Sequence, residues 1–176
     1  MSDRTTAVAI LVVAMLTAGP ISGQQPPAPN PLDVVPDNMP FYVQYGTPIS
    51  LERAQAAINA AVAEAKKRDW PMNVAVVDSG GNLVAFQRMD GAQLASIQIA
   101  EHKARAAATF RRETKEFENG IQLKNLNYLM TLDGMIAPRG GIPLFGQGKM
   151  IGGIGCSGGA SSQDEVVCKA GAAVIK

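Results

Sequence analysis

Arg88, Asp90 and Lys103 are the residues whose types and spacing most suggest chemistry. Arg88-Met89-Asp90-Gly91 is a charged corner that closes an apolar run and precedes a helical pattern carrying Lys103. A corner and the helix after it can converge, and two cations there would hold the carboxylates of a ligand. The competing reading is a structural salt bridge from Asp90 to Lys103 or Arg88. Gly140-Gly141 and Ser157-Gly158-Gly159 either present backbone N–H groups to an anion or serve turns alone. Asp164 and Glu165 are either acid-base groups or first-turn carboxylates that favour a helix N-terminus. His102 is the only histidine. Its imidazole is a ready ligand for a metal, or it lies on a charged surface turn, Glu101-His102-Lys103. Met89 and Met135 are soft ligands or fillers of core gaps.

Several functions are excluded. There is no Gly-x-Ser-x-Gly elbow, no phosphate-binding Walker loop and no dinucleotide fingerprint. A Ser-His-Asp triad would have to use His102, and no serine stands out as its nucleophile, which disfavours a conventional hydrolase. The formal net charge is +1 and aromatics make up 5% of the chain. With no basic face and no stacking platform, nucleic acid is not an expected partner. Neither Cys-x-x-Cys nor Cys/His spacing occurs, so no structural metal site is expected.

The elements that must position these residues are legible as alternating helices and hairpins. Ser50 is a good N-cap, and Leu51, Ala54, Ile58, Ala61, Val62 and Ala65 recur at helical spacing, which predicts a helix to about Arg68. Two apolar runs, residues 74–77 and 83–86, flank Asp78-Ser79-Gly80-Gly81-Asn82 and predict a β-hairpin. A second helix is expected over Gln93 to Arg111, with Leu94, Ile97, Ala100, Ala104 and Ala108 on one stripe. Residues 111–116 read as a solvated mixed-charge segment. A short helix within 117–132 would turn Leu126, Leu129 and Met130 inward. Residues 139–145 open a second hairpin, which turns at 146–149 and returns over Met150 to Cys156. Gly152, Gly153 and Gly155 imply that a helix or ligand presses on that strand. The last helix starts after Ser157–Ser162. Two hairpins and three covering helices make a compact α/β (α+β) sandwich.

The ends read differently. Residues 1–23 resemble a signal peptide: Arg4, an uncharged apolar run from Ala7 to Ala18, then small residues. The run is shorter than the roughly 20 residues of a spanning helix, and an uncleaved anchor is the alternative. Residues 24–40 hold six prolines and read as a linker or arm. The folded domain is expected over 41–176, in the periplasm or secreted, with no stable membrane insertion after cleavage. Cys156 and Cys168 could pair in an oxidising compartment; helix-to-strand geometry favours two free thiols.

Six pieces occur in order: Ala-Val-Val-Asp-Ser-Gly-Gly-Asn-Leu, Arg-Met-Asp-Gly-Ala, Glu-His-Lys-Ala-Arg-Ala-Ala-Ala, Arg-Arg-Glu-Thr-Lys, Gly-Gly-Ile-Pro-Leu and Ile-Gly-Gly-Ile-Gly-Cys-Ser-Gly-Gly. Together, over residues 49–175, they resemble the GlcG/HbpS-like family of small haem-binding domains, also found at the C-terminus of some corrinoid adenosyltransferases. The resemblance implies a profilin-like α-β-α sandwich with a five-stranded antiparallel sheet, homo-oligomeric assembly, and haem or a related tetrapyrrole as ligand, in sensing, storage or delivery. The expected ligand-binding set is Asp78, Arg88, Met89, Asp90, Lys103, Gly140, Gly141 and Pro143, with His102 as candidate iron ligand. Some haem-binding relatives use a histidine near the start of the domain, where this chain has none. Others are thought to use a threonine, where this chain has Ala106. An enzyme acting on a small oxygenated organic acid and a ligand-free accessory subunit are the alternatives.

Export predicts a mature protein that starts near Gln24. Intact-mass measurement of the exported protein tests this, and retention of residues 1–23 would contradict it.

Overall fold

The computed structural model describes residues 28–30 and 33–176. The expected signal segment, and residues 24–27, 31 and 32 of the expected linker, lie outside the described residues. Residues up to Asp37 form one unit, in which the Asp33 N–H donates to the Asn30 carbonyl, and Asn38–Lys176 forms another. No described helix is long and apolar enough to cross a membrane.

The second unit begins in earnest at Ser50. Its hydroxyl oxygen accepts from the Arg53 N–H and caps α1 (Leu51–Lys67). Ala54, Ala57, Ile58, Ala61, Val62 and Ala65 are the buried face of α1. Leu51 is 64% exposed, because it sits in the first turn, beyond the sheet's cover. The chain then folds into β1 (Asn73–Asp78) and β2 (Leu83–Arg88), with Gly81 at φ +84° in the turn. α2 (Ser96–Thr109) follows, then α3 (Thr114–Lys124) and a 3₁₀ turn over Asn127–Thr131. β3 (Gly141–Gly146), β4 (Lys149–Ser157) and α4 (Ser161–Ala172) complete the unit.

The sheet is antiparallel with strand order β2-β1-β4-β3. It has four strands among the described residues, not the five expected. The segment before α1 supplies a fragment of a fifth. Met150 donates its N–H to the Gln44 carbonyl, and Gly46 and Ile49 donate theirs to Met150 and Ile151. Pro48 has no N–H to give, and the pairing amounts to a single bridge, Tyr45 to Met150.

One sheet face packs against α1 and α4 through Val74, Val76, Ile154 and Leu144; the other packs against α2 through Ala75 and Val77. α2 lies very close to β4. A side chain at Gly155 would collide with the Ala100 carbonyl and the Ala104 N–H, so glycine is the only residue that lets this helix down onto this strand.

Four other expectations change. α2 starts at Ser96 rather than Gln93, which leaves Leu94 outside the helix and 69% exposed. The segment read as solvated contains the start of α3, where Thr114 is fully buried. Leu129 is buried as expected, but Met130 is 62% exposed because the tight 3₁₀ turn rotates it outward. Cys156 and Cys168 are joined, not free: α4 folds back over the end of β4 and brings their Cα atoms to 5.5 Å, inside the range a bridge spans.

Both cysteines are fully buried. Protein unfolded without reductant should therefore show no titratable thiol. Replacing both by Ala should lower stability by about 3 kcal/mol, the loop-closure value for so short a loop, as read by urea unfolding. Two reactive thiols on unfolding would contradict the bridge.

A buried ion pair and an open cationic cleft as the candidate functional site

Close packing of α2 on β4 carries Lys103 into the interior. Its side chain is 1% exposed. Its Nζ donates to Asp164 Oδ2 at 2.7 Å and to the Cys156 carbonyl at 3.2 Å. Asp164 lies in the first turn of α4. Its Oδ1 accepts from the N–H groups of Gly158 and Gly159, both at 3.1 Å. Burial holds the Asp164 carboxyl above the ordinary aspartate range, against the pull of the Lys103 ammonium and those two N–H groups.

Gly140 is fitted to this pair. Its φ is +114°, and a Cβ there would come within 2.8 Å of the Asp164 Cβ and 3.2 Å of Lys103 Nζ. Gly141 follows: its N–H donates to Thr114 Oγ1 at 3.0 Å, and any side chain would strike the Lys103 carbonyl. Lys103, Gly140 and Gly141 thus come together as expected, around Asp164 rather than Asp90. Lys103 is enclosed on Asp164 and stands beside no polar pocket shared with Asp90. The Asp90–Lys103 and Asp90–Arg88 pairs are both absent among the described residues.

Arg88, Met89 and Asp90 sit elsewhere, at the end of edge strand β2. With Lys66 and Gln87 they line an open cleft of about 270 Å³. Arg88 and Asp90 are exposed, and among the described residues neither side chain has a hydrogen-bond or ion-pair partner. Met89 is half-buried against the core, and its N–H donates to the Met72 carbonyl. The cleft therefore offers two cations, a carboxylate and a thioether-bearing residue.

The remaining expected residues are scattered. Asp78 closes the first hairpin turn: its Oδ1 accepts from the N–H groups of Gly80 at 2.8 Å and Asn82 at 2.9 Å. Slight burial pushes its carboxyl up, but those N–H groups outweigh this and hold it below the ordinary value. Pro143 lies in edge strand β3, a position that tolerates a missing donor. His102 is half-buried on α2, with no hydrogen-bond partner among the described residues. Ala106 is fully buried. Among the described residues no cluster of three or more His, Cys, Asp or Glu could hold a metal ion. Glu165, read as a capping or acid-base group, is held by Lys169 at 2.6 Å, Lys115 at 3.1 Å and Arg139 at 3.3 Å. Burial pushes its carboxyl up, and the two lysines outweigh that and leave it lowered.

Residues 49–173 match the model of a protein family described as haem degrading protein HbpS-like. The chain belongs to this HbpS-like family. Protein GlcG of Escherichia coli strain K12 is 39% identical over 109 residues, which is 62% of this chain and 81% of GlcG. A crystal structure of HbpS superposes with a TM-score of 0.69 at 34% identity, covering 77% of this chain and 95% of that one. A crystal structure of a PduOC:haem complex gives a TM-score of 0.66 at 29% identity, covering 74% and 96%. The matched HbpS-like region includes Arg88, Lys103, Gly140 and Asp164, and it excludes the partial fifth strand before Ile49.

Sequence reasoning missed the Lys103–Asp164 partnership. The residues are 61 apart, and Asp164 carries only the local signal of a first-turn carboxylate. Lys103→Met should therefore cost about 3–5 kcal/mol, the penalty for leaving one buried charge unpaired. Lys103→Met with Asp164→Asn should regain much of that, because Asn keeps an oxygen for the Gly158 and Gly159 N–H groups and leaves no buried charge. Urea unfolding of the two singles and the double variant measures the coupling. A loss below about 1 kcal/mol in Lys103→Met would mean a solvent-screened pair.

Proposed function

We propose that this protein is an exported haem- or tetrapyrrole-binding protein, acting in sensing, storage or delivery. Family membership brings the reading to this chain, and the haem-bound structure of PduOC carries it. Two features of the chain support export: the signal-like segment 1–23 and the buried Cys156–Cys168 bridge, which suits an oxidising compartment.

The cleft at the end of β2, about 270 Å³, has room for the propionate edge of such a ligand rather than for the whole macrocycle. Lys66 and Arg88 would take its propionates, Arg88 by a forked, charge-assisted contact. Met89 is the soft group for the iron at this cleft; His102, on α2, is not among the cleft's lining residues and would serve only a haem seated elsewhere. Haem, when bound, would supply the redox and ligand-binding chemistry. The protein's own residues anchor its carboxylates and cover its apolar edge. Assembly into a homo-oligomer would add further cover.

The enzyme reading loses its support, because it required Lys103 beside a polar pocket and Lys103 is enclosed. An accessory role without ligand is what remains if haem does not bind.

Haemin titration of the mature protein, followed by its Soret band, tests the proposal. Saturable binding is expected. Arg88→Met should weaken it by about 10- to 150-fold, the loss of one charge-assisted bond of roughly 1.5–3 kcal/mol. Its melting temperature should barely move, since Arg88 has no partner to lose. His102→Ala separates the iron ligands: a shifted Soret band assigns His102, and an unchanged band leaves Met89. Absence of saturable haemin binding would overturn the proposal.

A further inference from the structure

A second cleft shares no residue with the first. It lies between the start of α1 and the β3–β4 turn, has a volume of about 340 Å³, and is lined by Thr47, Ser50, Arg53, Gln147, Lys149 and Lys176 among others. That volume falls at the lower end of the roughly 300–1,000 Å³ typical of small-molecule sites. Three cationic side chains line it and no aspartate or glutamate does. In a chain of formal net charge +1, this is a local excess of cationic side chains, one of which, Arg53, is already held in part by the backbone oxygen of Lys176. Glu52, in the first turn of α1, is the acidic residue nearest in sequence and is not part of the lining.

The polar groups here are donors in search of an acceptor. Among the described residues Lys149 makes no hydrogen bond or ion pair through its side chain. Arg53 spends one guanidinium N–H on the Lys176 carbonyl and keeps the rest of its five donors. Ser50 Oγ accepts from the Arg53 N–H, which leaves the hydroxyl proton to give. The first N–H groups of α1 have no acceptor within the helix, and the helix dipole adds positive potential at that end.

The walls are fixed before any ligand arrives. Gly46 and Ile49 donate their N–H groups to Met150 and Ile151 of β4, which pins the Thr47–Ser50 segment. The opposite wall is the tight turn with Gln147 at φ +52° and Gly148 at φ +74°. A rigid set of guanidinium, ammonium, hydroxyl and backbone donors suits an oxyanion with several acceptor oxygens.

We propose that this cleft is a second binding site, for a small phosphate oxyanion, either free phosphate or a phosphomonoester. It is independent of the haem reading. Titration calorimetry of the mature protein with inorganic phosphate and with phenyl phosphate, at low ionic strength, tests it. Saturable binding of at least one is expected. Tighter binding of phenyl phosphate assigns the site to a phosphomonoester, and equal or weaker binding assigns it to free phosphate. Lys149→Met should weaken that binding by about 10-fold or more and leave the melting temperature and haemin binding unchanged. Arg53→Lys, which keeps the charge and loses the fork, should also weaken it. No saturable binding of either probe, or binding that neither variant weakens, overturns the proposal.

Discussion

The contact between Lys103 and Asp164 ties together four parts of the domain. Lys103 comes from α2, Asp164 from α4, the Cys156 carbonyl from the end of β4, and Gly140 from the approach to β3. Burying two charges is expensive, and their attraction offsets that cost only when every remaining donor and acceptor is also used. Here Asp164 Oδ1 takes two backbone N–H groups, and Lys103 takes a backbone carbonyl besides the carboxylate. The pair thus fixes the β4–α4 turn. The bridged cysteines are twelve positions apart in sequence, and their disulfide pins the same turn from the other side of β4. The small residues around it follow from this. Gly140 admits the ammonium, Gly141 admits the α2 backbone, and Gly155 lets α2 come low enough for Lys103 to reach Asp164.

That constraint explains which parts of the molecule remain open for ligands. The interior cation is consumed by structure. The cations still available stand at the rim, on elements whose backbones are held by the sheet: Arg88 at the end of β2, Lys66 near the end of α1, Lys149 at the start of β4. Groups on a fixed scaffold keep their geometry without ordering cost when a ligand binds.

Much of the fold was legible because its signals are local. Ser50 as N-cap, the alternation of residues 74–77 and 83–86 around two glycines, and the alanine stripe of α2 each depend on neighbours within a few residues. The failures are all non-local or lie at element ends. Leu51 and Leu94 fit a helical stripe, but the sheet does not extend far enough to cover them. The disulfide depends on how far α4 folds back over β4. The residues around Lys103 were recognised as a group, and the wrong carboxylate was assigned, because Asp90 is near in sequence and Asp164 is near only in space. The Arg88 corner was legible as charged; that its guanidinium has no partner among the described residues is a fact of the tertiary structure.

The central claim is that the Lys103–Asp164 pair makes the β4–α4 turn part of the core rather than a surface loop. Native-state hydrogen exchange of the Gly158 and Gly159 amides tests it most directly, since both donate to Asp164. These amides should exchange only through large openings, with protection free energies close to that of global unfolding. Rapid exchange at both glycines, at the rate of exposed turns, would contradict the account.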